Sequence, residues 1–121
     1  MEQIAGQDGR YDVRALKFVY EGLATTIEKL RRDEDAEHPR HIAGQELAWG
    51  LAEAAMQRWG RLAMMVLQRW GVRTTRDFGE IVYLMIAREW MTSQETDSID
   101  DFNTVFDFET VFERDYRLEI R

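Results

Sequence analysis

The sequence holds two histidines, His38 and His41, and they are the side chains whose ordinary pKa lies nearest neutrality. Glu37, Gln45 and Glu46 stand close to them. A histidine beside a glutamate can act as a general base, and nearby arginines would suit an anionic metabolite. A metal site would need three or four convergent ligands at fixed spacing, and this set has no recognisable one. No serine or other nucleophile is placed beside the pair. The simplest account of His38 and His41 is solvation on a loop around Pro39, which leaves His41, Gln45 and Glu46 as polar-site candidates.

A second group, Glu95, Asp97, Asp100, Asp101, Asp107 and Glu109, raises divalent cations. Calcium loops alternate oxygen ligands around a central glycine, yet no glycine occurs after Gly79. A solvated acidic loop that keeps a sheet edge from self-pairing accounts for the pattern more simply. Asp77-Phe78-Gly79 matches the kinase metal-binding triplet in letters alone, and the other kinase signatures are missing. Glycine-rich phosphate loops are absent as well. With no cysteine, disulfides, thiolate nucleophiles and Cys-ligated metals are excluded. No cofactor or metal is expected.

Charge gives the next clue. The net charge is −7, and it is unevenly spread. Residues 1–60 carry 8 basic and 11 acidic side chains, residues 61–91 carry 5 and 3, and residues 92–121 carry 3 and 9. An acidic domain repels phosphate at long range, which weighs against nucleic acid as a partner without excluding it. Arg58, Arg61, Arg69, Arg73 and Arg76 form a local basic cluster, with no acidic residue until Asp77. They either meet a partner or serve helix ends and the acidic tail. Trp49 is a second partner-binding candidate. It lies about 160–200° around a helix from Leu47 and Leu51, so it is either exposed as an anchor or covered by the 31–40 connection or the N-terminal arm.

These residues must be positioned by helices. Residues 1–10 read as a loose arm, and residues 11–121 as one helical domain. From an Asp12 N-cap, Leu16, Val19, Leu23, Ile27 and Leu30 recur at helical steps. A second helix is expected over about Gln45 to Trp59, burying Leu47, Leu51, Ala54 or Ala55, and Trp59. A third is expected over about Arg61 to Trp70, burying Leu62, Met65 or Val66, and Trp70. Both end in Gln-Arg-Trp-Gly, at 57–60 and 68–71, which predicts a left-handed glycine after each last turn. Thr74 and Asp77 predict a capping box for a fourth, central helix with Phe78, Ile81, Val82, Met85, Ile86 and Trp90 inward. Beyond it, Trp90–Thr92 and Thr104–Phe108 read as a β-hairpin at about 90–108. A short helix near Glu109–Glu113 and an alternating strand at Tyr116, Leu118 and Ile120 follow. The expected fold is mainly α: four helices with a small C-terminal antiparallel β element, winged-helix-like in outline.

The segments His41-Ile42-Ala43-Gly44-Gln45-Glu46-Leu47, Trp70-Gly71-Val72, Thr75-Arg76-Asp77-Phe78-Gly79-Glu80-Ile81-Val82, Asp97-Ser98, Asp101-Phe102 and Val105-Phe106-Asp107-Phe108-Glu109 resemble a small family of uncharacterised bacterial proteins best represented in planctomycetes and verrucomicrobia. Tyr11 and Phe18-Val19 fit the same pattern. The resemblance implies a complete, independently encoded domain and carries no activity with it. Ala43 departs from the serine or threonine expected there, so Glu46 loses its capping-box partner. With no secretory leader and no apolar run longer than the likes of Ile81–Ala87, a cytoplasmic protein without membrane contact is expected. The reading that follows is a non-catalytic protein-interaction or regulatory module. A winged-helix-like nucleic-acid binder is the alternative, and a small enzyme on an anionic metabolite comes third.

Overall fold

A computed structural model describes residues 9–32, 44–88 and 99–115. Four α-helices lie in it: α1 (Val13–Arg32), α2 (Gly44–Trp59), α3 (Ala63–Arg69) and α4 (Thr75–Ala87). A 3₁₀ turn at Gly60–Leu62 leads into α3, a second at Ile99–Phe102 packs on α4, and a π-helical segment follows at Glu109–Asp115. Helix α1 packs on α2, α4 lies against both, and the π-helical segment closes the far side against α2, α3 and the first 3₁₀ turn.

Local chemistry starts and stops these helices where the sequence predicts. Asp12 accepts the backbone N–H of Arg14 at 2.8 Å to open α1. The carboxylate of Asp77 reaches back to the N–H of Thr74 at 3.2 Å, completing the capping box of α4. Gly60 and Gly71, at φ 56° and 95°, terminate α2 and α3 in the left-handed conformation that penalises any Cβ. The two repeated stops also bring their tryptophans together. Trp59 and Trp70 meet edge to face at 5.2 Å, with Phe18 at 5.0 Å from Trp59.

Two expectations need correction. The pattern puts Leu62 and either Met65 or Val66 inward, but Leu62 and Met65 are 54% and 49% exposed and Val66 is half-buried, while Ala63 and Leu67 are fully buried. Bulk suggested the wrong side: the small Ala63 lets α3 approach its neighbours closely, which turns the larger side chains outward. The C-terminal β element is not supported either. Among the described residues there is no strand, and Thr104–Phe108 runs as a turn into the π-helical segment. Asp107 accepts both the N–H and the hydroxyl of Thr110, at 3.0 and 3.1 Å, and so caps a helical segment. Phe108 and Phe112 then meet edge to face at 5.0 Å, a one-turn spacing. With Thr104–Phe108 not a strand, the winged-helix arrangement loses its second wing strand. Trp90–Thr92, Tyr116–Ile120 and most of the proposed arm lie outside the described residues.

Phe102 locks the core. It is 3% exposed and sits between two glycines. A Cβ on Gly79 would come within 2.8 Å of the Phe102 Cβ, and one on Gly44 within 3.1 Å of its ring. Alanine normally favours a helix interior over glycine by about 1 kcal/mol. At Gly79 the sign should reverse, because overpacking costs about 1–3 kcal/mol. Gly79→Ala is therefore expected to lower the urea midpoint. In a Phe102→Gly background, where both the Cβ and the ring that obstruct it are gone, the same substitution should raise it. Equal effects in both backgrounds would reject the clamp.

Candidate functional site

Two surfaces and one polar cluster collect the sequence-nominated residues. The cluster knits Arg10, Tyr11 and the stretch from Asp100 to Asn103 to α4. Buried Tyr11 donates its hydroxyl to Asp77 Oδ1 at 2.6 Å, and Asp77 Oδ2 also accepts the N–H of Arg73 at 2.9 Å. Glu80 is shared by Arg10 at 3.5 Å and Arg76 at 3.1 Å. Arg76 further donates to Asp100 at 2.8 Å and Asn103 at 3.0 Å. Carboxylates on either side hold the Arg76 guanidinium more firmly charged. These groups satisfy one another. Burial, then the hydrogen bond to Asp77, pushes the Tyr11 phenol well above its ordinary value, so it is no base near neutrality. The triplet Asp77-Phe78-Gly79 is thus a cap, a core ring and a clearance for Phe102.

The first surface is a trough between α1 and α2. Gly22, Gly50 and Ala54 bring the helices close, and Thr26, buried with its hydroxyl on the carbonyl of Gly22 at 2.7 Å, sits under it. Its larger part encloses about 410 Å³ and reaches Glu46 and Trp49 at one end. A further part of about 270 Å³ shares Gly22, Thr25, Ala54 and Gln57 and extends to Phe18 and Arg58. Ion pairs Lys29–Glu53 at 2.8 Å and Glu21–Arg58 at 3.2 Å tie the two helices across it. Trp49 is 48% exposed at the lip, with one face against Phe106 at 4.5 Å. Phe106 as that neighbour is not legible in the residues, because the alternation of Thr104–Phe108 predicts a strand there.

The second surface is the outward side of α3 and its leading turn, where Arg61, Leu62, Met65 and Arg69 are all exposed. The arginine cluster is therefore divided. Arg58 lies over Phe18 and Trp59, each at 5.8 Å, and pairs with Glu21. Arg76 is committed to the polar cluster. Arg61, Arg69 and Arg73 are exposed, and no ion pair joins them to a described residue. Gln45 is exposed and Glu46 half-buried on α2, whereas His38 and His41 lie outside the described residues. No group of three or more acidic or histidine side chains among the described residues is placed to hold a metal. No helix of the described residues is long and apolar enough to cross a membrane.

Compared with known proteins, the chain matches no family model, no curated protein and no solved structure.

The Tyr11–Asp77 bond makes a pH prediction. Its raised folded pKa means a stabilising contribution present below the unfolded tyrosine value of about 10 and lost as pH rises through the folded one. Tyr11→Phe keeps the ring and should cost about 1–2 kcal/mol at neutral pH. It should also remove part of the alkaline fall in stability above about pH 10. Parallel urea titrations across that range check both; identical alkaline slopes would refute the assignment.

Proposed function

We propose that this chain is a non-catalytic protein-interaction module that receives an apolar segment of a partner protein in the trough between α1 and α2. One observation carries the reading: Trp49, a large ring left 48% exposed, stands at the lip of a trough floored by small residues. Tryptophan buries more apolar area than most side chains when covered, and interface hot spots are enriched in it. Phe106 already fixes one face of the ring, which lowers the entropy cost of docking.

The shape favours a segment over a compact ligand. The trough runs on from Trp49 past Gly22 and Ala54 to Arg58, so its length follows the helices. Helix-in-groove recognition uses such a surface, with apolar anchors spaced by turns. The ionisable groups lining it, Lys29, Glu46 and Glu53 at one end and Glu21 and Arg58 at the other, suit orientation of a partner at the rim.

The test is affinity purification of the tagged full chain from its host, with mass spectrometry of protein and nucleic acid. A stoichiometric protein partner is expected, held about tenfold or more less well by Trp49→Ala. Because Trp49 also supports Phe106, a second variant separates docking from folding: Thr25→Trp fills the trough from an exposed wall position and should release the same partner. Retention unchanged in both variants, or recovery of nucleic acid without protein, would overturn the proposal.

A further inference from the structure

We infer that the outward face of the Gly60–Leu62 turn and α3 is a separate docking surface for an acidic, amphipathic segment of a partner protein. The inference does not rest on the trough. It rests on what the turn and the helix leave in water. Ala63 and Leu67 are fully buried and point one way. Arg61, Met65 and Arg69, spaced four apart, point the other way, with Leu62 on their flank. Leu62 and Met65 are 54% and 49% exposed. Two large apolar side chains are thus framed by two arginines without an ion pair among the described residues.

Of the described arginines outside this face, Arg14, Arg58 and Arg76 have internal work, while Arg73 is exposed with no ion pair to a described residue. Arg14 pairs with Asp12 and covers the Trp70 ring, Arg58 pairs with Glu21, and Arg76 binds Glu80 and Asp100. Against a net charge of −7, an island of positive charge with no ion pair among the described residues selects a partner whose acidity is local. A nucleic acid or an anionic bilayer would bring a uniform negative surface against the acidic remainder of the chain. Neither a phosphate backbone nor a lipid headgroup layer matches the apolar pair at the centre of this face. Residues 60–69 span only about 15 Å, the length of two or three turns of a partner helix. An acidic helix with leucines between its carboxylates satisfies both components at once.

The probe is a short fluorescent helix-forming peptide with a leucine stripe flanked by glutamates, titrated into the full chain at low salt and followed by anisotropy. Binding is expected, weakened about tenfold by Arg61→Glu with Arg69→Glu, and comparably by Met65→Ser. Trp49→Ala should leave it unchanged, which keeps this result distinct from the trough. These positions are exposed, so the variants should melt like the parent; Arg61→Ala with Arg69→Ala provides a milder pair. No binding, binding indifferent to the arginines, or equal binding of a control peptide with serine for leucine would overturn the inference. So would tighter binding of duplex DNA or anionic vesicles through the same residues.

Discussion

Phe102 between Gly44 and Gly79 is the contact on which the arrangement depends. Its ring occupies the space two side chains would otherwise claim, one at the start of α2 and one inside α4. A 3₁₀ turn is too short to hold itself in place, so Ile99–Phe102 stays on α4 through this insertion and through Arg76 reaching Asp100 and Asn103. Past that turn, the N–H of Val105 bonds to the buried hydroxyl of Thr75 at 3.1 Å. The path thus fixed delivers Phe106 to Trp49, and Phe108 and Phe112 to the core beside Phe78. Gly44 of the 41–47 segment, Gly79 of the Asp77-Phe78-Gly79 triplet and the aromatics of the 105–109 segment converge here, and all of them serve packing.

That convergence shows why function was hard to read from the residues. Glycines and aromatics in short motifs look like site chemistry, but here they record a close approach between segments far apart in the chain. What was legible was local. The Thr74–Asp77 box, the Asp12 cap and the paired Gln-Arg-Trp-Gly stops each involve residues within a turn of one another, so their spacing alone specifies them. What was illegible depended on distant partners. Leu62 and Met65 have the same periodicity as Ala63 and Leu67, and only the neighbours of α3 decide which pair goes inside. Thr104–Phe108 alternates like a strand, yet the Asp107–Thr110 cap and the turn spacing of Phe108 and Phe112 outweigh that alternation. The short helix expected near Glu109–Glu113 is present as the π-helical segment, but its cap at Asp107 falls inside the strand-like alternation of Thr104–Phe108 and is hidden by it.

Charge is partitioned with similar economy. The arginines that face acidic residues across a helix boundary tie the chain together: Arg10 and Arg76 through Glu80, Arg58 through Glu21. Each exposed pair contributes little on its own, on the order of 0–1 kcal/mol. Their combined effect is positional, since they hold the N-terminal approach, α4 and the Ile99–Phe102 turn in register. In sequence the five arginines of the basic cluster look equivalent; in the fold two are committed to acidic partners. The repeated tetrapeptide makes this plain, because Arg58 and Arg69 occupy the same place in it. Arg58 has Glu21 of α1 within 3.2 Å, while no acidic side chain among the described residues pairs with Arg69.

The trough and the outward face of α3 arise from one cause. Helices can cross closely only where their facing residues are small, and Gly22, Gly50 and Ala54 supply that on one side of α2, as Ala63 does near its end. Close crossing has two geometric consequences. Where small residues line the contact, the larger side chains beside them stand proud and leave a furrow between, which is how Trp49 comes to the lip. Where a small residue is chosen for the inside of a short helix, its bulky neighbours are displaced outward, which is how Leu62 and Met65 come to lie in water. Neither exposure lowers the energy of the isolated chain, because burying such side chains would gain about 1.5–3 kcal/mol each. Tight packing elsewhere sets the exposure, and the proposed docking of a partner would be one way of removing that apolar area from water.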